Sequence, residues 1–308
     1  MTARIGVALD MDFLIFSAMS ASETEMDWGN DIWTLECDHA KARGILGGTI
    51  KSILSDIEVD IRKKNKKPFE LVPLCIISGD NNFRKEVLET YKANRKGKRK
   101  PVGYPEFVES CMQHYGDRAF RWDGVEGDDV CGILMTNPGL ADCAAVVSAS
   151  CDKDFNTVPG MFMWLTPGKM VRNTVETADR YHMYQTLIGD TTDGYSGIPG
   201  VGPVVAEEFL DSPQFFYKAS KVMKSGPNKG KEVEFWTSCS ADDAVLHVPN
   251  LAATKGDAYV PSLWDCMVSL AASKGMTEAE LLQQAQVARI LRWSDWDHEA
   301  KSPILWKP

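Results

Sequence analysis

The chain has no C-x-x-C pair, no metal-ligand spacing among its histidines, no long uncharged apolar run and no internal repeat. Each absence removes a class of protein. Its eight cysteines, at positions 37, 75, 111, 131, 143, 151, 239 and 266, lie mostly inside apolar segments, so reduced core thiols are expected rather than disulfides or zinc. The five histidines, at 39, 114, 182, 247 and 298, show no partner pattern with serine or cysteine, which argues against a histidine general base. A membrane helix needs roughly 18 consecutive apolar residues, and none are present. The opening MTARIGVALDMDF reads directly into a strand rather than a cleavable leader. A cytoplasmic protein is expected.

What is present is a pattern of acids. With 308 residues, 44% of them hydrophobic and 25% charged, a substantial α/β core is readily built. Three apolar runs, 5–9, 71–78 and 144–150, read as buried parallel strands. Each runs into carboxylates: Asp10 with Asp12, Asp80 after Gly79, and Asp152 with Asp154 after Cys151. Glu126, Asp128 and Asp129 open an expected helix, where the dipole accounts for one acid but not three. Asp190 and Asp193, three residues apart, share one face of a turn or helix. Open α/β sheets bind ligands outside the carboxyl ends of their strands. Carboxylates gathered there repel strongly at low dielectric unless cations compensate them. The expected chemistry is metal-assisted phosphodiester cleavage.

The formal charge of −9 is unevenly spread. Segment 84–100 carries eight basic residues against two acids, a positive strap placed just after Asp80 that suits a polyanion. Segment 218–231 contains lysines and no acids and reads as a flexible DNA-contacting insertion. Helices are expected at 38–64, with weak points at Gly44, Gly47 and Gly48, and at 106–115, 128–134, 177–188 and 277–293. The run Gly197-Ile198-Pro199-Gly200-Val201-Gly202 is a poor dinucleotide fingerprint, because no strand precedes it. A helix-hairpin-helix turn gripping a DNA backbone fits it better.

FRKEV (83–87), YKANRK (91–96), KPVGY (100–104), EGDDV (126–130), SCDKDF (150–155) and GDTTDGYSGIPGVG (189–202) carry a resemblance, continued more weakly by WDC, MTE and ARILR between 264 and 292. Over nearly its whole length the sequence resembles the flap-endonuclease superfamily of 5′ nucleases, and more closely the 5′ to 3′ exonucleases of T7-like bacteriophages. The resemblance implies a PIN-like α/β core with a central, mostly parallel sheet flanked by helices. It places a catalytic core at 1–210, including a basic helical arch at about 84–107 and a helix-hairpin-helix at about 189–210. Residues 211–308 become a C-terminal extension packed on that core, with 218–231 as its basic insertion.

The resemblance also assigns residues. Asp10, Asp80, Glu126, Asp128 and Asp129 match the inner acidic set, and Asp152, Asp154, Asp190 and Asp193 the set that completes a site for two Mg²⁺, with Mn²⁺ as a substitute. Arg84, Lys92 and Arg95 match catalytic residues of the arch. Lys85, Lys96, Lys98, Arg99 and Lys100, with Gly197, Gly200 and Gly202, are expected to bind DNA, and the hairpin to hold K⁺. The implied substrates are double-stranded DNA with a 5′ end or flap and an RNA–DNA hybrid, in host cytoplasm and alongside phage replication proteins. One departure is Met11, where many relatives have glycine; Asp12 beside it is kept as an outer-shell candidate. Two rivals remain. A haloacid-dehalogenase-type phosphatase would use Asp10 as nucleophile with Asp12, yet Leu14 stands where that motif expects threonine. A non-catalytic DNA-binding module on the same fold would normally have lost a carboxylate, and each acidic cluster keeps its own.

Overall fold

The protein is described from a computed structural model covering residues 2–248 and 251–308. In chain order its first elements are β1 (Ala3–Asp10), α1 (Met11–Ser20), the hairpin β2 (Glu23–Asp27) and β3 (Trp33–Cys37), α2 (His39–Lys64), β4 (Phe69–Ser78), the single turn α3 (Arg84–Val87), α4 (Tyr104–Tyr115), β5 (Ala119–Trp122), α5 (Gly127–Thr136), β6 (Ala145–Ser150), β7 (Gly160–Trp164) and β8 (Lys169–Asn173). Six strands form one sheet in the order β5-β4-β1-β6-β7-β8. All neighbours are parallel except β7 and β8.

The apolar runs explain the layering. Side chains alternate across a strand, so Val7, Leu9, Cys75 and Ile77 enter one core with α1, α2 and α4. Ala8, Leu74 and Ile76 enter the other with α5. A sheet apolar on both faces must be covered on both. Helix α2 shows how one cover is built. Asp38 accepts from the backbone N–H of Ala40 and Lys41 at 2.9 Å each, and Leu46, Ile50, Ile53, Ile57 and Ile61 form its buried stripe. Gly44, Gly47 and Gly48 face open space, so the helix runs through them unbroken.

The described residues fall into two compact units. The first comprises residues up to Glu89, Asn94–Asp179 and Arg289–Leu305; the second comprises Thr90–Ala93, Arg180–Ala288 and Trp306–Pro308. The second holds most of α6 (Val175–Ile188), then α7 (Pro203–Asp211), the hairpin β9 (Gln214–Val222) and β10 (Glu232–Ser240), α8 (Ala244–His247), α9 (Leu251–Lys255), α10 (Leu263–Ser273) and α11 (Glu278–Ala288). Its core joins Leu187, Ile198, Val201 and Phe209 to Trp264, Met267, Leu270 and Leu281. By compactness, the glycine-rich turn thus groups with residues beyond 210 rather than with the sheet.

Three expectations need correction. Segment 218–231 is not a loose insertion, because its first part is strand β9, paired in register with β10 from Gln214↔Ser240 to Val222↔Glu232. The last helix ends at Ala288, and Ile290 and Leu291 instead enter the core of the first unit. The strap is built from short turns, α3 and a 3₁₀ turn at Ala93–Arg95, with irregular chain up to Gly103. All eight cysteines are free, four of them buried. Among the described residues no helix is long and apolar enough to cross a membrane.

Candidate functional site

Strands β1 and β6 are neighbours, so their carboxyl ends bring Asp10 and Asp152 to one edge. Ser150, fully buried at the end of β6, joins the two. Its Oγ donates to Asp10 Oδ2 at 2.8 Å and accepts from the backbone N–H of Asp152 at 3.1 Å. Asp152 Oδ1 in turn accepts the backbone N–H of Asp154 at 2.8 Å, opening a short 3₁₀ turn. Burial, with the neighbouring charges of Asp12 and Asp152, pushes the Asp10 carboxyl from 3.8 up to about 6, against the opposing hydrogen bonds from Ser150 and Phe13. The Cys131 thiol is raised by burial and by the charges of Asp128, Asp10 and Asp12, which brings Asp128 into the same electrostatic neighbourhood.

Two serines that were not assigned a role do the positioning. Besides Ser150, Ser78 at the end of β4 accepts the backbone N–H of Gly127 at 2.9 Å, and its own N–H donates to Asp12 Oδ2 at 2.8 Å. Asp12 therefore ties α1 to β4. Each serine stands at the last position of a strand, two residues before an acid, and Ser150 also opens the SCDKDF run.

Several other assigned residues are paired within the protein. Asp129 is a structural acid: fully buried, it takes a two-pronged ion pair from Arg84 at 2.6 and 2.7 Å and accepts the backbone N–H groups of Leu291 and Glu126 at 3.0 Å each. Its oxygens are saturated by the protein. Arg84, expected on the arch, has a side chain only 3% exposed and also donates to the Arg289 carbonyl at 2.6 Å. Its second anionic neighbour is Glu126, at 3.6 Å. Asp80 has a side chain 80% exposed and pairs with Arg121 at 3.5 Å. Among the exposed strap residues Lys85, Arg95, Lys96, Lys98, Arg99 and Lys100, Arg99 is held by Glu23 through two 2.7 Å contacts, and Lys100 lies 4.5 Å over the Tyr104 ring.

In the second unit, residues 90–93 clasp the turn that carries the last acids. The Lys92 N–H donates to the Asp193 carbonyl at 2.8 Å, its ammonium lies 3.5 Å from Asp193 Oδ2, and Thr90 Oγ1 donates to the Gly194 carbonyl at 2.8 Å. Lys92 is held there at φ 51°, a strained value for a side-chain-bearing residue. Asp190 Oδ1 accepts the N–H of Thr192 at 2.8 Å and of Asp193 at 3.3 Å.

The hairpin glycines are not equivalent. Gly197 has φ +64°, and a Cβ there would strike the backbone of Leu187 to Gly189. Gly200 has φ +76° but faces open space, whereas Gly202 caps α7 at φ −97°, which any residue adopts. Gly197→Ala is therefore expected to lower the melting temperature by several degrees, since left-handed strain and overpacking each cost about 1–3 kcal/mol. Gly202→Ala should melt within a degree or two of wild type, since its backbone angles suit any residue and a Cβ there meets nothing.

Among the described residues no three histidine, cysteine or acidic side chains converge closely enough to hold a metal alone. The donor set nevertheless fits a hard divalent cation, which takes few direct carboxylates and keeps several waters. The donors are all oxygens, and Asp10 is raised by burial first and by the charges of Asp12 and Asp152 after it, a cost that a bound cation would offset.

No protein-family model matches the chain. It is 42% identical over 305 residues to the exodeoxyribonuclease of Enterobacteria phage T3, covering 98% of this chain and 92% of that protein. It is 40% identical over 305 residues to the exonuclease of Escherichia phage T7, covering 98% and 93%. Among solved structures, a T5 protein co-crystallized with metal ions shares the fold at a TM-score of 0.50 and 16% identity, over 92% of this chain and 88% of that one.

Proposed function

We propose, for a chain that belongs to the family of the T3 and T7 phage exonucleases, that it is a 5′ to 3′ exonuclease hydrolysing DNA phosphodiesters with divalent-cation help. The observation that carries the chemistry is the Asp10–Ser150–Asp152 cluster at the carboxyl edge of adjacent parallel strands. Asp10, Asp128 and Asp152, with Glu126 and Asp154 around them, would hold the cation. With it bound, the phosphodiester gains Lewis-acid polarisation and the attacking water a lower pKa. Ser150 fixes the Asp10 carboxylate and the Asp152 backbone in one orientation. Lys92 and Arg95 are proposed, by the resemblance, to neutralise charge developing on the phosphate. Asp190 and Asp193 are proposed as further acids by the resemblance alone. Arg84 and Asp129 have no part in this scheme.

We further propose Mg²⁺ as the working ion, two per site, with Mn²⁺ able to substitute and K⁺ at the hairpin. Flaps and RNA–DNA hybrids are the proposed additional substrates, and phage replication proteins the proposed partners. The phosphatase alternative fits poorly, because its second acid, Asp12, is engaged by the Ser78 N–H. Digestion of a 5′-labelled duplex with Mg²⁺ and with EDTA tests the proposal. Labelled mononucleotides or short products only with Mg²⁺ are expected; undiminished cleavage in EDTA, or trimming from the 3′ end, would overturn it.

A further inference from the structure

The acidic hairpin β2–β3 has no place in the scheme above, yet it holds one end of the basic strap. Glu23, the first residue of β2, has a side chain only 11% exposed, whereas its partner Arg99 is 56% exposed. The contact is two-pronged, Arg99 Nη1 to Oε1 and Nη2 to Oε2 at 2.7 Å each, and Oε1 also accepts the backbone N–H of Val102 at 3.0 Å. Bidentate guanidinium–carboxylate pairs are the geometrically specific ones. Three residues on, the chain is fixed again. Gly103 has φ +72°, and a Cβ there would lie 2.6 Å from the ring of His39, whose Nε2 is 3.3 Å from the Val102 carbonyl. Lys100 closes over Tyr104, which is buried. Chain 99–103 is thus clamped, while 94–98, carrying Arg95, Lys96 and Lys98, is exposed.

We propose that Glu23 is a positioning residue that acts through Arg99, anchoring the C-terminal foot of the strap so that Arg95, Lys96 and Lys98 are presented to a DNA strand. Arg99 is then an anchor and not a phosphate contact, which corrects its assignment from sequence. The inference rests on the nuclease reading given above. A merely structural ion pair on the surface would be worth little, and its loss would not reach the substrate. A foot clamp does reach it, because releasing it leaves three cations on a slack loop that must be ordered again on binding.

Two outcomes differ in sign. If Glu23 only masks Arg99, then Glu23→Gln frees a cation, tightens binding and steepens the salt dependence by about one phosphate contact, ~0.9 in the slope of log K against log salt for duplex. If Glu23 is an anchor, Glu23→Gln and Arg99→Ala each weaken binding by about fivefold or more, ~1 kcal/mol. The salt slope stays as in wild type, and the double variant is no weaker than either single one. The reversed pair Glu23→Arg with Arg99→Glu should recover only the part carried by the ion pair, since an arginine at 23 offers no acceptor to the Val102 N–H. Affinity for a 5′-ended duplex is measured in EDTA across a salt series, together with the split between KM and kcat in Mg²⁺ and the rate of tryptic nicking at 95–98. Expected are a raised KM, a nearly unchanged kcat and faster nicking, with melting temperatures close to wild type. Tighter binding with a steeper slope, or unaltered binding and nicking, would overturn the inference while leaving the nuclease reading intact. Failure of that reading shows separately, as wild-type protein that neither binds nor cuts the duplex.

Discussion

Asp10→Asn and Asp152→Asn are each expected to cut DNA at least ~100-fold more slowly than wild type, and Asp10→Asn to melt at a higher temperature than wild type in EDTA. The first effect follows from geometry, since both carboxylates sit at the carboxyl edge of adjacent parallel strands, joined by Ser150. The second follows from electrostatics. Burial and the charges of Asp12 and Asp152 raise Asp10 from 3.8 to about 6 in the fold. An acid whose pKa is raised on folding binds its proton more tightly in the native state, so at pH 7 its ionised form opposes folding, here by up to about 3 kcal/mol without a cation. That cost disappears as pH falls through about 6 toward the unfolded value. The melting advantage of Asp10→Asn should therefore be several degrees at pH 7.5 and shrink by pH 4.5. Asparagine keeps the size of the side chain and one acceptor for Ser150, while the longer Phe13 N–H contact at 3.3 Å is given up, which takes back a part of the gain. Binding to DNA should be equal or tighter, because an anion has left a polyanion site. If both variants retain more than a tenth of wild-type turnover, no shared site exists.

The sheet and its acids were legible because both are written locally. An apolar run such as 71–78 has few alternatives to a buried strand, and a carboxylate directly after it lands at the strand's end whatever the rest of the chain does. Helix α2 was equally readable from Asp38 and its isoleucine spacing. Long-range partners were not legible. Arg84 and Asp129 each stand inside a motif that reads as functional, and only the fold brings them together, with Leu291 from 162 residues away. Arg99 was indistinguishable from Lys98 until Glu23, 76 residues distant, took it out of the strap's free charge. The lysines of 218–231 hid a strand, because β9 buries little and gives only a weak alternation. Gly197 and Gly202 look alike in a glycine-rich string, and only backbone angles separate them.

Arg84→Met is expected to lower the melting temperature by about 10 °C or more, with a much smaller effect on the chemical step of the molecules that remain folded. The substitution leaves Asp129 fully buried without its counter-ion. Breaking a buried pair from one side costs about 3–5 kcal/mol, and each kcal/mol corresponds to roughly 2–4 °C for a unit of 150–250 residues. Arg84→Lys should recover little, since an ammonium cannot span both carboxylate oxygens and the Arg289 carbonyl at once. Removing both charges, as in Arg84→Met with Asp129→Leu, should restore part of the loss. The Leu291 and Glu126 N–H groups would still lack their acceptor. Thermal melts of the four proteins, with single-turnover cleavage measured well below the lowest transition, decide the matter. A catalytic Arg84 would give the opposite pattern, an unchanged melt and a rate that falls with saturating enzyme. That result would return Arg84 to the substrate side of the strap.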